Sequence, residues 1–194
     1  MSDQGAGNFL ARLSTKLADA GIRHMVVGSF ASSFHGVPRS SQDLDLVIDP
    51  DAASLQRFLA SLPAAEYYAD ADTALDAFRH RGQFNVIDTA TAWKADLIIR
   101  KARPFSIEEM QRRIEGDLLG ARVFVASAED TVISKLEWAQ LGGGSELQLR
   151  DASGILNLQG TKKLDVAYIE RWVRELGLED SWRRLLATSG GQDE

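Results

Sequence analysis

Apolar residues recur along this chain with two periods. Phe9, Leu10, Leu13 and Leu17 fall on one helical face, which predicts a helix over 8–20 with Gly21 as its stop. Residues 23–27 read as a strand. Residues 29–35 read as a short helix ended by Gly36 and Pro38, and 43–48 as a second strand. Asp49-Pro50-Asp51 then caps a helix carrying Leu55, Phe58, Leu59 and Leu62. The stretch 63–82 is polar and alanine-rich, with a short helix expected at 72–79. Residues 84–88 and 95–99 alternate as an antiparallel pair, joined by a connection that is long for a tight hairpin. A helix over 107–114 and a hairpin over 117–125 complete the sheet-forming part.

From Ser127, an expected N-cap with Asp130 in the place of the usual Glu, the pattern is helical throughout. Val132, Ile133, Leu136 and Ala139 form one face. Gly142-Gly143-Gly144 makes a flexible turn, and helices are expected at 146–158, 165–176 and 179–187. Residues 188–194 are expected to be disordered. The order αβαβα, two further β runs and then helices argues an α/β or α+β sheet domain over 1–126 and a helical part over 127–187.

Composition narrows the function classes. At 194 residues the chain suits one ordinary domain or a domain with a small helical appendage, and 44% apolar with 26% charged residues is the balance of a globular protein. No apolar run approaches a bilayer span, and residues 1–5 lack the basic and apolar regions of a secretion signal, so a cytoplasmic protein without a membrane role is expected. The absence of cysteine excludes disulfides, thiolate metal sites and thiol nucleophiles. A net charge of −6 disfavours long nucleic acid as the main partner, though a local basic patch would still accommodate a tRNA. The one visible basic cluster, Arg100, Lys101 and Arg103 with Arg112 and Arg113, reads as solvated loop and helix charge.

The chemistry concentrates at Val27-Gly28-Ser29 and Asp43-Leu44-Asp45. In a strand, residues i and i+2 share a face, so Asp43 and Asp45 project together while Leu44, Leu46 and Ile48 point the other way. Paired carboxylates repel, and divalent cations relieve that repulsion. A strand ending in Gly-Ser, a helix and then Asp-x-Asp on the next strand resembles the nucleotidyltransferase superfamily, the polymerase-beta-like fold. The run His35-Gly36-Val37-Pro38-Arg39-Ser40-Ser41-Gln42-Asp43 is similar to its small bacterial branch, which includes abortive-infection-type toxins and stand-alone relatives. Ser41 stands where Thr is usual. The resemblance implies an α+β fold, a nucleotidyltransferase-like mixed sheet flanked by helices, with a C-terminal helical part.

It also implies residue roles. Asp43 and Asp45 would bind two Mg²⁺ ions. Asp96, flanked by apolar residues in a strand, would be the third carboxylate and the general base, and Asp88 is a weaker alternative. Gly28 lets a phosphate approach the backbone closely, and Ser29 adds a hydroxyl at the start of a helix or serves as its N-cap. Arg39 reaches the phosphates or pairs with a carboxylate. Lys135 matches a helix lysine that contacts the triphosphate in the family, or is an ordinary exposed lysine. His35 is expected to shape its loop. Relatives carry Arg-Asp followed three residues later by Asp, whereas here Arg150-Asp151 is followed by Gly154. Trp138, Trp172 and Trp182 read as core, and Trp93 as the aromatic placed for stacking.

The activity implied is Mg²⁺-dependent transfer of a nucleoside monophosphate from an NTP to a hydroxyl of a small molecule, a tRNA end or a protein, releasing pyrophosphate. An antitoxin partner is implied only by the branch. The alternative is a non-catalytic nucleotide- or partner-binding module. A two-metal phosphohydrolase is a third class, against which the Gly-Ser clamp argues.

Overall fold

The computed structural model describes residues 3–160 and 163–189. The elements are α1 (Asp3–Asp19), β1 (Arg23–Val26), α2 (Gly28–His35), β2 (Asp43–Asp49), α3 (Ala52–Ala60), β3 (Tyr67–Tyr68), α4 (Ala71–His80), β4 (Gln83–Asp88), β5 (Lys94–Ile99), α5 (Pro104–Arg112), β6 (Ile114–Leu118), β7 (Ala121–Val125), α6 (Ala128–Leu141), α7 (Glu146–Gln159), α8 (Val166–Leu176) and α9 (Glu179–Ser189). They form two compact units, one of residues 1–27 and 41–126, the other of 28–40 and 127–194. The segment 28–40, assigned by sequence to the first domain, therefore groups with the later helices. No described helix is long and apolar enough to cross a membrane.

The first unit is a mixed seven-stranded sheet in the order β3-β4-β5-β2-β1-β7-β6 with helices packed against it. The pairs β2–β5 and β1–β7 are parallel, and the other neighbours are antiparallel. Leu44, Leu46 and Ile48 are fully buried, as are Phe9, Leu10, Leu13 and Leu17 of α1. Burying each such side chain is worth about 1.5–3 kcal/mol, and a one-residue slip of β2 would move Leu44, Leu46 and Ile48 to the opposite face. The same alternation that pins this register leaves Asp43, Asp45 and Val47 on the opposite face.

Several boundaries differ from expectation for local reasons. Pro104 takes the first position of α5, and Arg113 is extended (φ −54°, ψ 143°), so Ile114 opens β6 rather than closing a helix. β3 pairs only two residues with β4, too short a run for periodicity to reveal. The connection after β4 is a closed turn. Asp88 N–H donates to the Trp93 carbonyl at 2.9 Å, Ala92 N–H donates back to the Asp88 carbonyl at 2.8 Å, and Ala92 adopts φ +59°.

The second unit packs α2 against α6 and α7, and α6 also against α8 and α9. Ile133, Leu136, Ile155, Ile169 and Leu185 are fully buried. Ser127 caps α6 as expected, its hydroxyl accepting from Asp130 N–H. The Asp130 carboxylate, itself fully buried, accepts from Ser127 Oγ at 2.7 Å and from the Tyr168 hydroxyl. Gly154 has a packing reason. A Cβ there would lie 3.3 Å from Val37 Cγ2, and one on Gly36 would lie 2.9 Å from Ile155 N. The chain after α2 passes close to α7, so a side chain at 154 would require Val37 to give by a few tenths of an ångström. Thr188 and Ser189, expected in a disordered tail, are helical, and 190–194 lie outside the described residues.

Candidate functional site

In the first unit, parallel pairing of β2 with β5 sets Asp43 opposite Lys94 and Asp45 opposite Asp96. Three carboxylates and one ammonium thus share one face of two adjacent strands. Antiparallel pairing of β4 with β5 adds Asn85, exposed and opposite Asp96. Lys94 Nζ lies 3.4 Å from Asp43 Oδ2 and 3.3 Å from Asp96 Oδ1. Burial acts to lower the Lys94 pKa, but the hydrogen bond and charge of Asp96, with the charge of Asp43, outweigh it and hold the ammonium above the usual lysine range. Asp96 Oδ1 is buried without a hydrogen bond.

These are hard oxygen donors of the kind Mg²⁺ prefers, and Asp96 Oδ1, buried without a hydrogen bond and with the Lys94 ammonium 3.3 Å away, sits where a cation is favoured. The residues fit the ion chemically. As the side chains stand, no group of three or more His, Asp or Glu among the described residues is disposed around a common point. Sequence reasoning singled out Asp43 and Asp45 from the Asp-x-Asp spacing after Gly28-Ser29, and Asp96 from its apolar flanks; the register puts the three on one face. It missed Lys94, two residues before Asp96 on the same strand, and Asn85, paired opposite Asp96; the register of β2 with β5 brings them to the face of Asp43 and Asp45.

In the second unit, α2 opens at Gly28, whose φ of +64° is strained for any residue with a Cβ. Ser29 lies inside the first turn rather than before it, so it is not the cap expected. Arg39 donates through Nη2 to Ser29 Oγ and through Nε to both oxygens of Asp151, at 3.0 and 3.2 Å. Lys135 Nζ donates to Asp151 Oδ2 at 2.7 Å, with both side chains almost wholly buried. Lys135 is therefore not an ordinary exposed lysine. Burial pushes the Asp151 pKa up, but hydrogen bonds from Arg39 and Lys135, and their charges, hold it below the usual carboxylate range. Two cations thus face Asp151 in the same unit as the α2 N-terminus. Asp151 was visible in sequence only as half of a dipeptide. Its ion pairs link residues 112 and 16 positions apart.

Other candidates have structural roles. Asp88 is buried, paired with Arg12, and accepts from Ala90 and Thr91 N–H at 2.9 Å each. His35 is buried against Phe34, and its carbonyl accepts from Gln159 Nε2 at 2.9 Å. Trp93 is buried, which removes it as a stacking platform, while Trp138 is the exposed tryptophan at 59%. Three members of the basic cluster are tied down. Arg100 Nε pairs with Asp49 at 2.9 Å, and the guanidinium groups of Arg103 and Arg113 lie over the rings of Phe105 and Phe124.

No protein-family model matches the sequence, and no curated protein matches it. Solved structures do match. An antigenic nucleotidyltransferase-like protein from Paracoccidioides brasiliensis is similar over 93% of this chain and 92% of its own, at 18% identity and a TM-score of 0.53. ANT(2")-Ia, solved in complex with adenylyl-2"-tobramycin, is similar over 92% of this chain and 99% of its own, at 11% identity and a TM-score of 0.58. Likeness at such identities shows the fold. This chain has the mixed α+β fold of nucleotidyltransferase-like proteins.

Proposed function

We propose that this chain is a Mg²⁺-dependent nucleotidyltransferase. The observation that carries the reading is the parallel register that sets Asp45 beside Asp96 with Asp43 two residues away on the same face. Asp43, Asp45 and Asp96 are the residues that would hold two Mg²⁺ ions. Bound Mg²⁺ would neutralise polyphosphate charge and acidify the attacking hydroxyl. Asp96 takes the acceptor's proton as the acceptor oxygen bonds to the α-phosphorus and pyrophosphate departs. In the second unit, the backbone at Gly28, the Ser29 hydroxyl and the cations Arg39 and Lys135 are the proposed phosphate contacts.

The adenylylated tobramycin in ANT(2")-Ia makes a small-molecule hydroxyl the first acceptor class to test. A tRNA end and a protein side chain follow. The small toxin branch adds a protein antitoxin as a partner to seek by co-purification. The competing reading is a binding module without turnover.

The test is thermal unfolding with each NTP, with and without Mg²⁺, on wild type and Asp45→Asn. Ligand at 100 times its dissociation constant adds about 2.7 kcal/mol, or about 5–10 °C for a chain of this size. A Mg²⁺-dependent shift with one NTP, lost in Asp45→Asn, is expected and identifies the donor. Absence of any shift would refute the nucleotide site.

A further inference from the structure

Two lysines that meet carboxylates among the described residues, Lys94 and Lys135, are held very differently. Lys135 sits 2.7 Å from Asp151 with both side chains about 95% buried, a locked pair. Lys94 lies 3.3–3.4 Å from its partners, and its side chain is 32% exposed, with Asp43 at 48% and Asp96 at 15%. Charge-assisted N–H···O contacts of full strength lie near 2.7–2.9 Å. Lys94 is therefore loosely held, on a flexible four-carbon stem with water beside it. Its place is nevertheless set by the sheet. It lies two residues before Asp96 on the same face of β5 and in register with Asp43 of β2.

We propose that Lys94 is a built-in countercation of the acidic face, which a divalent ion must displace, so that this lysine sets the metal affinity of the site. This rests on the metal reading given under Proposed function. Without a cation, Asp43, Asp45 and Asp96 would place three negative charges on neighbouring strand positions, and like charges so placed are destabilising. The ammonium relieves that repulsion in the metal-free protein. A divalent ion and an ammonium cannot both lie against the same oxygens of Asp43 and Asp96 without strong repulsion, so one excludes the other. The chain thus trades metal affinity for stability of the empty face. Metal enters only at concentrations high enough to compete with a tethered cation.

The test uses Mn²⁺, which takes the same hard oxygen donors as Mg²⁺ and whose free form is counted by electron paramagnetic resonance. Wild type, Lys94→Met, Lys94→Arg and Asp45→Asn are titrated. Methionine keeps the unbranched stem and removes the charge. Removing one like charge a few ångströms from a divalent ion near a protein surface is expected to tighten Mn²⁺ binding about tenfold. Lys94→Arg, which keeps the charge, binds as wild type or more weakly, and Asp45→Asn loses the binding. Thermal unfolding without metal gives a second readout. Lys94→Met unfolds at a lower temperature than wild type, and the gap closes at saturating Mn²⁺. Should Lys94→Met not fold cooperatively, Lys94→Gln serves the same comparison. Equal or weaker binding by the uncharged variant, with wild type still binding, overturns the countercation and leaves the metal site standing. No binding by any chain overturns the metal site itself.

Discussion

Asp151→Leu removes a carboxylate that Lys135 and Arg39 share, and its cost follows from how unequally those two cations are buried. The side chains of Asp151 and Lys135 are 6% and 5% exposed, whereas that of Arg39 is 30% exposed. Breaking a buried pair by deleting one partner typically costs about 3–5 kcal/mol, because the remaining charge stays desolvated. Arg39 can turn to water and Lys135 cannot, which places the loss near the lower end, about 3 kcal/mol. For a chain of this length that is about 6–12 °C in unfolding temperature. Urea unfolding at pH 7, followed by circular dichroism, measures it as a lower midpoint at an unchanged slope. The double variant Lys135→Met/Asp151→Leu leaves no charge in the buried pair and is expected to recover to within about 1 kcal/mol of wild type. The pH dependence gives the sign independently. The Asp151 pKa is depressed in the folded protein, so its contribution is fully present above the unfolded carboxylate value near 4 and is lost as pH falls through the folded one. The gap between wild type and variant should hold from pH 5 to 8 and narrow below about 4. A single-variant loss under about 1 kcal/mol, or a double variant no better than the single, would refute this account of the pair.

Ser29→Ala should weaken NTP affinity by about 1 kcal/mol if the hydroxyl makes one hydrogen bond to phosphate; calorimetry showing unchanged affinity rejects the contact. Gly36→Ala drives a Cβ to 2.9 Å from the Ile155 backbone nitrogen and should cost about 1–3 kcal/mol in urea unfolding, with a neutral result disproving the close approach. His24 is buried, and burial first, then the nearby Arg113 charge, lower its pKa against a hydrogen bond with the Ile22 carbonyl that raises it. Its neutral form belongs to the folded state, so wild type should lose stability as pH falls below about 6.5. His24→Leu should lack that loss, and parallel pH profiles would show that His24 is not its source.

What the sequence made legible was whatever period and flanking chemistry encode locally. Alternation in 43–48 assigns the faces of β2, and the apolar flanks of Asp96 single it out within β5. Ser127 with Asp130 announced the start of α6. What escaped depended on separation along the chain. Lys94 shares a face with Asp96 by alternation within β5, but its place beside Asp43, 51 residues away, is a fact of strand register, as is that of Asn85 opposite Asp96. Lys135 and Asp151 each look like an ordinary surface charge on its own helix, and only helix packing turns them into a buried pair. Trp93 was misread because its position after β4 suggested an open loop. The Asp88–Trp93 backbone bonds close that loop into a turn and set the indole in the core.

The grouping of residues 28–40 with the helices after Ser127 bears on the chain's history during synthesis. A ribosome delivers α2 about a hundred residues before it finishes α6, against which α2 packs. At roughly 5–20 residues per second, Phe30 and Ala31 wait on the order of 5–20 s for the side chains that will cover them. The sheet can assemble meanwhile from strands already emerged, carrying α2 as an exposed loop. A nascent chain stalled before residue 127 would display that apolar helix, and chaperones that recognise exposed apolar segments would meet it there.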